Sequence, residues 1–302
     1  MSAIININDS ANSEECRVIQ LENHSVNILQ DKNRVADAFA KSARTYDTVA
    51  GLQREVGENL ILKVSEKLVT KKLPDDFYTL DLGSGTGYLS EKITSDWQTK
   101  VFSLDIAYGM LAYAKNERPG LQKQNFLCAD VENLPVAEKS VDIVFSNFAL
   151  QWCDDIKSVF KQIEKIIKPG GYFAFSLPVE GTLQELKTSW QAVDQFKHVN
   201  DFYEAEYIQN IASNVFSGSG LVDVSFKNHA LYYHELKELT KELKILGANQ
   251  IKTTQGGDNK SASLMGRKKL QSLIAAYDQY RNHKNMLPAT YNVAYGLVCI
   301  HH

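Results

Sequence analysis

The chain has 302 residues, of which 44% are hydrophobic, so it is longer than one ordinary α/β domain of about 150 to 200 residues requires. Its 33 Lys and Arg against 36 Asp and Glu give a formal net charge of −3, which argues against a basic surface for nucleic acid. No apolar run reaches the roughly 18 residues of a membrane helix, and the first residues lack a signal-peptide pattern. We therefore expect a cytoplasmic protein that binds neither nucleic acid nor membrane.

The four cysteines and seven histidines show no metal-ligand spacing. The cysteines are far apart and never form a C-x-x-C pair, so the sequence predicts neither a disulfide framework nor a metal site.

The order of elements predicts one domain over residues 31–302, preceded by a loosely ordered leader at 1–30. Residues 31–72 show helical spacing with a break near Gly51, which predicts a helical preface. Residues 73–178 alternate short apolar runs with helical stretches, which is typical of a parallel sheet covered on both faces. The predicted strands there are Tyr78–Leu82, Val101–Asp105, Asn125–Cys128, Val141–Ser146 and Tyr172–Leu177.

The last third, residues 179–302, predicts helices on the substrate side and two final strands. Strands are expected at Val222–Lys227 and Tyr291–Ile300, separated by about sixty residues with helical patterns near 234–246 and 264–283.

The strongest chemical signal is a glycine-rich turn after the first predicted strand. The strand ends in Asp81, and Gly83, Gly85 and Gly87 follow before a helix. Glycines permit a tight turn and let a ligand lie against the backbone. A dinucleotide fingerprint would require glycine at position 88, where this chain has Tyr88.

Two more acids end the next two predicted strands. Asp105 is placed to accept hydrogen bonds from ribose hydroxyls, and Asp130 from an adenine amino group. Ile106, Met110 and Val131 would supply apolar faces for a purine. Three acids at successive strand ends, in register with the turn, predict a nucleoside-containing cofactor.

These motifs resemble the class I S-adenosylmethionine-dependent methyltransferases. The segments that carry the resemblance are Leu80-Asp-Leu-Gly-Ser-Gly-Thr-Gly87, Asp105, Asp130 with Leu134-Pro135, Val141-Asp-Ile-Val-Phe-Ser-Asn147 and Ile167-Lys-Pro-Gly-Gly171. The resemblance implies a doubly wound, mostly parallel, seven-stranded Rossmann-like sheet with S-adenosylmethionine as cofactor. It further implies that Asp81, Ser84 and the glycines meet the methionyl group, Asp105 the ribose, and Asp130 with Val131 the adenine.

Segments outside that core resemble, more narrowly, the biotin-pathway malonyl-[acyl-carrier protein] O-methyltransferases. They are Phe39-Ala-Lys-Ser-Ala-Arg-Thr-Tyr46 with Gln53-Arg54, Asn147-Phe-Ala-Leu-Gln151-Trp152, Gly181-Thr-Leu-Gln-Glu-Leu186 and Leu287-Pro-Ala-Thr-Tyr291. This resemblance implies a helical lid between the last two strands and a malonyl-loaded acyl-carrier protein as partner; we also expect a monomer. Tyr46 and Arg54 are then expected to cover the cofactor, Asn147 and Phe148 to line it, and Tyr46, Gln151 and Trp152 to act at the transferred methyl group.

Arg267 and Arg281 are candidates for the substrate carboxylate, because a guanidinium recognises a carboxylate through two parallel hydrogen bonds. Arg267, Lys268 and Lys269, with the lysines of the preceding predicted helix, could alternatively form a basic face for an acidic carrier.

Three other functions remain open at this point. One is a methyltransferase for another small carboxylic acid or a quinone-like molecule. The second is a nucleotide-binding dehydrogenase, against which Tyr88 argues. The third is a non-catalytic module that binds S-adenosylmethionine.

Overall fold

The computed structural model describes residues 18–20, 29–68, 73–248 and 266–301. Its helices are α1 Leu29–Tyr46, α2 Gly51–Leu68, α3 Tyr88–Trp97, α4 Tyr108–Glu117, α5 Ile156–Ile166, α6 Gln184–Gln191, α7 Ala205–Val215, α8 Leu236–Ile245 and α9 Arg267–Asp278. Its strands are β1 Val18–Gln20, β2 Tyr78–Leu82, β3 Lys100–Asp105, β4 Asn125–Cys128, β5 Val141–Asn147, β6 Ile167–Pro178, β7 Gly220–Tyr233 and β8 Leu287–Ile300. Short 3-10 turns follow β4 at Val131–Asn133 and β5 at Leu150–Trp152.

The described strands form one sheet in the order β1-β4-β3-β2-β5-β6-β8-β7. Neighbouring strands are parallel except around β8, which runs antiparallel to both β6 and β7. This confirms the predicted mostly parallel, seven-stranded sheet, to which β1 adds a short edge strand. Because β8 is reversed, its first residues lie beside the carboxyl end of β6, with Val293 paired to Pro178.

The strands form where the sequence has short apolar runs, and both faces of the sheet are buried. On one face α2 and α3 pack against residues such as Val101 and Ile143. On the other, α5 and α7 pack against a set that includes Phe173 and Phe175. A sheet covered on both faces explains why its strands read as nearly continuous apolar segments.

The surplus length builds a second apolar cluster at the carboxyl end of the sheet. It joins the start of α2 to α6, α8, α9 and the adjoining ends of β7 and β8. Leu183, Leu243, Tyr277 and Tyr291 are among its buried members. The residues of the last third of the chain in this cluster therefore cover the edge of the sheet at which the parallel strands end.

Several predicted boundaries change. The break in the preface is at residues 47–50, as expected near Gly51, but α1 begins at Leu29 and β1 lies inside the predicted leader. The rest of that leader, residues 1–17 and 21–28, and part of the predicted lid, residues 249–265, lie outside the described residues. None of the helices in the described ranges combines the length and apolarity needed to cross a bilayer.

Candidate active site

The glycine-rich turn joins β2 to α3 and is fixed to the neighbouring strand. The backbone N–H groups of Gly83 and Ser84 both donate to the carbonyl of Leu104, at 2.7 and 3.0 Å. Gly83, Gly85 and Gly87 all have positive φ. A Cβ at Gly83 would collide with Ala149, and one at Gly87 with Ala114 and Leu121, whereas one at Gly85 would meet nothing within 4 Å. Only Gly85 therefore leaves open space beside the backbone, and the other two glycines are required by packing.

Asp81 lies beneath this turn, almost fully buried. Its Oδ2 accepts a hydrogen bond of 2.6 Å from the Ser90 hydroxyl. The pKa of Asp81 is raised to about 7, chiefly by burial and also by the charge of Asp105, although the Ser90 hydrogen bond acts to lower it. A positive charge nearby would therefore stabilise the ionised form of this carboxylate.

Asp105 ends β3 and anchors the turn. Its Oδ2 accepts from the N–H of Gly85 at 2.9 Å, and its Oδ1 accepts from the N–H of Ala107 at 2.7 Å. Burial raises the pKa of Asp105, and these backbone donors lower it. A carboxylate has about four acceptor sites, so Asp105, with three backbone donors including Ile106, keeps some capacity to accept a bond from a ligand.

The third strand-end acid, Asp130, has a partner that the sequence did not indicate. Its Oδ1 accepts from the N–H of Glu132, and its Oδ2 accepts from Nζ of Lys32 on α1 at 2.5 Å. Lys32 also forms an ion pair with Glu132. The preface helix thus closes over the end of β4, and an adenine amino group at Asp130 would share this carboxylate with Lys32.

The apolar residues predicted for the purine lie along the same edge. Met110 belongs to a small buried cluster between α1 and α4 that also contains Ala43 and Ala107. Val131 packs against the main core, and Ile106 directly follows Asp105 with partial exposure. None of the three is among the described residues that line the two cavities considered next.

A smaller cavity, of about 440 Å³, adjoins the glycine-rich turn. Its lining includes seven of the residues predicted to bind cofactor: Tyr46, Arg54, Asp81, Gly83, Ser84, Gly85 and Asn147. The Ser84 hydroxyl is buried with no hydrogen-bond partner in the described structure. This cavity therefore offers a buried carboxylate, an unpartnered hydroxyl and bare backbone within one concave surface.

Arg54 belongs to a polar cluster that closes one side of this cavity. Its guanidinium donates to the carbonyl of Asp47 and lies over the ring of Tyr88, with 5.6 Å from Cζ to the ring centroid. Arg118 lies 5.5 Å from the same ring and bonds the Asp47 carboxylate, which also accepts from Thr86 at 2.6 Å. Tyr88, where a dinucleotide-binding turn has glycine, is thus held between two guanidinium groups.

The end of β5 connects both parts of the site. Asn147 donates to the carbonyl of Gln53 at 3.0 Å and accepts from the Ser176 hydroxyl at 2.7 Å, so its side chain fastens α2 to the sheet. The next residue, Phe148, has a positive φ of 52°. A non-glycine residue in this region is strained, and such strain is concentrated at functional sites.

Phe148 lines a larger cavity of about 750 Å³, together with both catalytic candidates that follow it. Gln151 donates to the carbonyl of Phe148 at 2.7 Å, and its buried Oε1 has no hydrogen-bond partner among the described residues. Trp152 packs edge to face against Phe39 of α1, with ring centroids 5.7 Å apart. Six of the described residues that line this cavity are aromatic: Phe39, Tyr46, Phe148, Trp152, Phe202 and Tyr291.

The two cavities share Tyr46 and Gln53, which line both of them. Tyr46 ends α1, and Gln53 lies in the first turn of α2, so the junction is built by the helical preface. Gln53 Oε1 is also buried with no partner in the described structure. The two cavities therefore adjoin each other at these two residues.

The basic residues predicted for substrate lie elsewhere. Arg267 is exposed at the start of α9, and Arg281 bonds Asp278 and the carbonyls of His234 and Asn285. Neither lines the two cavities, so a substrate role for either stays a prediction. Lys269 of the predicted basic face forms an ion pair with Asp194 at 2.7 Å.

Sequence reasoning missed two kinds of residue. Lys32 and Arg118 reach the site from surface helices and carry no local signal. Gln53 and Tyr291, which line the larger cavity, stand in segments that the resemblance included without assigning them a role.

Comparisons with known proteins identify the family. A sequence profile described as "Methyltransferase domain" matches residues 80–175, the part that contains the turn and the strand ends. The malonyl-[acyl-carrier protein] O-methyltransferase of Hahella chejuensis is 33% identical over 273 residues, which cover 90% of each chain. The chain belongs to this methyltransferase family.

Other relatives of the family are longer. The biotin biosynthesis bifunctional protein BioHC of Cellvibrio japonicus is 38% identical over 271 residues, 89% of this chain, and the chain spans about half, 50%, of that protein's length. Among solved structures, the YcgJ protein of Bacillus subtilis covers 79% of this chain and 97% of its own, with a TM-score of 0.52 and 14% identity. At that identity the similarity shows the fold alone, and it agrees with the predicted methyltransferase sheet.

Proposed function

We propose that the chain transfers a methyl group from S-adenosylmethionine to the free carboxyl of a malonyl thioester carried by an acyl-carrier protein, releasing S-adenosylhomocysteine. The reaction would serve the synthesis of biotin in the cytoplasm, a proposal supported by the bifunctional relative whose name includes biotin biosynthesis. The observation that carries the proposal is the pair of cavities that meet at Tyr46 and Gln53.

The residues of the smaller cavity fit the methionyl part of S-adenosylmethionine. The buried carboxylate of Asp81 suits an ammonium group, which would favour its charged form. The unpartnered Ser84 hydroxyl suits a polar ligand group, and the open side of Gly85 suits close approach to the backbone. Asp105 would receive the ribose hydroxyls, and Asp130 with Val131 would receive the adenine.

The larger cavity fits a small acceptor that is already ionised. S-adenosylmethionine, when bound, supplies a methyl group on a positively charged sulfur. The bond from the carboxylate oxygen to the methyl carbon would form as the bond from that carbon to the sulfur breaks. A carboxyl group titrates near pKa 4, so the acceptor needs no general base at neutral pH. The work of Tyr46, Gln151 and Trp152 is to hold the carboxylate in line and exclude water.

The charge of the larger cavity supports a carboxylate nucleophile. No Lys or Arg is among the described residues that line it, and the one acid, Asp201, has a side chain 67% exposed. A lining without cations leaves the acceptor oxygen its negative charge for attack. The exposed Asp201 marks the open side through which a carrier-borne thioester would enter.

Mass spectrometry of a malonyl-loaded acyl-carrier protein tests the proposal. After incubation with the purified chain and S-adenosylmethionine, we expect a mass gain of one methyl group on the malonyl carboxyl. Acetyl-carrier protein, which lacks that carboxyl, is the matched control and should gain none. Parallel rates with malonyl-coenzyme A and free malonate identify the thioester used. An unchanged malonyl-carrier mass would exclude the proposed substrate.

A further inference from the structure

Tyr291 has a buried hydroxyl that has no hydrogen-bond partner among the described residues. The residue lies near the start of β8, is 5% exposed and lines the larger cavity. Its hydroxyl makes no hydrogen bond in the described structure. A buried hydroxyl without a partner is destabilising, so such a group calls for an explanation.

The other buried tyrosines of the same apolar cluster do have partners. The Tyr277 hydroxyl donates to the carbonyl of Pro288 at 2.8 Å, and the Tyr233 hydroxyl donates to Glu242 at 2.9 Å. Both belong to the cluster that contains Tyr291, and neither lines the larger cavity. The unpartnered hydroxyl therefore occurs at the tyrosine of this group that faces the cavity.

The backbone on both sides of Tyr291 is held firmly. Thr290 donates through its N–H and its hydroxyl to the Glu185 carboxylate, and its carbonyl accepts from Leu183 at 2.6 Å. Asn292 exchanges two hydrogen bonds with the Thr182 hydroxyl, at 3.0 and 3.1 Å. Residues 182–185, at the start of α6, thus fix the backbone of β8 on both sides of Tyr291.

We propose that the Tyr291 hydroxyl binds the acceptor carboxylate, donating a hydrogen bond to the oxygen that does not attack the methyl group. The inference rests on the proposed function, since it takes the acceptor to be a malonyl thioester. A malonyl group on a carrier enters with its carboxylate first, so the carboxylate would reach the buried part of the lining, to which Tyr291 belongs. Burying a carboxylate is costly without hydrogen-bond donors.

A neutral donor suits this reaction better than a cation. An Arg or Lys beside the carboxylate would stabilise the ground state and weaken the nucleophile, whereas one hydroxyl positions it and leaves its charge. Burial, with the charges of Glu242 and Glu185, raises the pKa of Tyr291, so its hydroxyl keeps its proton at neutral pH. This also accounts for a cavity whose described lining has no basic residue.

The test compares Tyr291→Phe with Tyr277→Phe. Each removes one hydroxyl from a buried ring, but only the Tyr277 hydroxyl has a hydrogen-bond partner in the part of the chain that the structure describes. For Tyr291→Phe we expect an unchanged or raised Tm and unchanged affinity for S-adenosylhomocysteine. Its kcat/KM for malonyl-carrier protein should fall about tenfold or more, the usual effect of losing a hydrogen bond to a charged group. Tyr277→Phe should lower Tm and leave kcat/KM unchanged.

Acetyl-carrier protein separates carboxylate binding from general damage to the cavity. As a competitive inhibitor without the carboxyl group, it should bind wild type and Tyr291→Phe equally. Two results would overturn this inference alone, provided that the wild-type chain methylates malonyl-carrier protein. One is an equal loss of acetyl-carrier and malonyl-carrier binding in Tyr291→Phe, and the other is a kcat/KM that Tyr291→Phe leaves unchanged. A wild-type chain that does not methylate malonyl-carrier protein would overturn the proposed function and this inference together.

Discussion

Lys32 on α1 donates to the Asp130 carboxylate at 2.5 Å and joins the helical preface to the end of β4. The two side chains are 14% and 12% exposed. The pKa of Lys32 is raised by its bonds to Asp130 and Glu132, although burial opposes this, and Glu132 has a lowered pKa through the same contact. The preface is thus fastened across the strand end at which a purine is predicted to bind.

Replacing Lys32 should loosen α1. Lys32→Ala leaves two partly buried carboxylates without their cation, and we expect a loss of about 2 kcal/mol in unfolding free energy, with faster amide exchange in α1. Lys92→Ala is the matched control, because its pair with Asp96 lies on the surface of α3 with both side chains about one-third exposed. That pair should contribute only about 0.3–0.5 kcal/mol. Equal effects of the two substitutions would contradict the role of Lys32.

Asp105 should control cofactor binding through the turn. In Asp105→Asn one oxygen becomes an NH₂ group, which cannot accept from both Gly85 and Ala107, so the turn loses an anchor. We expect the Kd for S-adenosylhomocysteine, measured by calorimetry, to rise at least about tenfold. Asp142→Asn is the control: Asp142 accepts from the N–H of Tyr78 and from Lys168 at the opposite end of the sheet. It should lower Tm without changing that Kd.

Cofactor affinity should depend on pH through Asp81. Its pKa of about 7 means that the ionised form, which suits an ammonium group, is lost as pH falls below 7. Between pH 8 and pH 6 the affinity for S-adenosylhomocysteine should fall about tenfold, and Asp81→Asn should reduce this dependence.

The stability of the free protein should change in the opposite direction: since folding raises this pKa, the Asp81 contribution favours the folded state at low pH and is lost as pH rises through 7. Identical pH profiles of wild type and Asp81→Asn would refute this assignment.

Gln151 should affect turnover, whereas a similar glutamine should affect only stability. Gln151 and Gln162 each donate to a backbone carbonyl, at 2.7 and 2.8 Å. Oε1 of Gln162 also accepts from the N–H of Leu134, whereas Oε1 of Gln151, which lines the larger cavity, has no partner among the described residues. We expect Gln151→Ala to lower kcat about tenfold or more with little change in Tm. Gln162→Ala should lower Tm and leave kcat unchanged. The reverse pattern would show that Gln151 is structural.

The sequence predicted the central strands well because parallel strands buried on both faces are apolar throughout. The prediction for β7, Val222–Lys227, was too short, since the strand runs from Gly220 to Tyr233 through Lys227 and Asn228 at an exposed sheet edge. Polar residues at an edge remove the alternation that marks a half-buried strand. The short strand β1 was missed because it exists only through pairing with β4, which lies over 100 residues away.

The sequence predicts the site residues that stand at the ends of parallel strands. It does not predict those that reach the site through the reversal of β8 or the packing of α1. Asp81 and Asp105 lie at the turn as expected, because successive parallel strands end at one edge. Tyr291 reaches that edge only because β8 is antiparallel, a reversal that its local sequence does not reveal. The partner of Asp130 is likewise set by how α1 folds over the sheet.

The most direct test of the whole account is a crystal structure with S-adenosylhomocysteine and a non-reactive malonyl thioester analogue. The account predicts the cofactor's amino acid end in the smaller cavity against Asp81 and Ser84, with its sulfur facing the Tyr46–Gln53 junction. It predicts the malonyl carboxylate in the larger cavity, on the other side of that junction and within hydrogen-bond distance of the Tyr291 hydroxyl. A carboxylate held outside the larger cavity, by Arg267 or Arg281 for example, would contradict it.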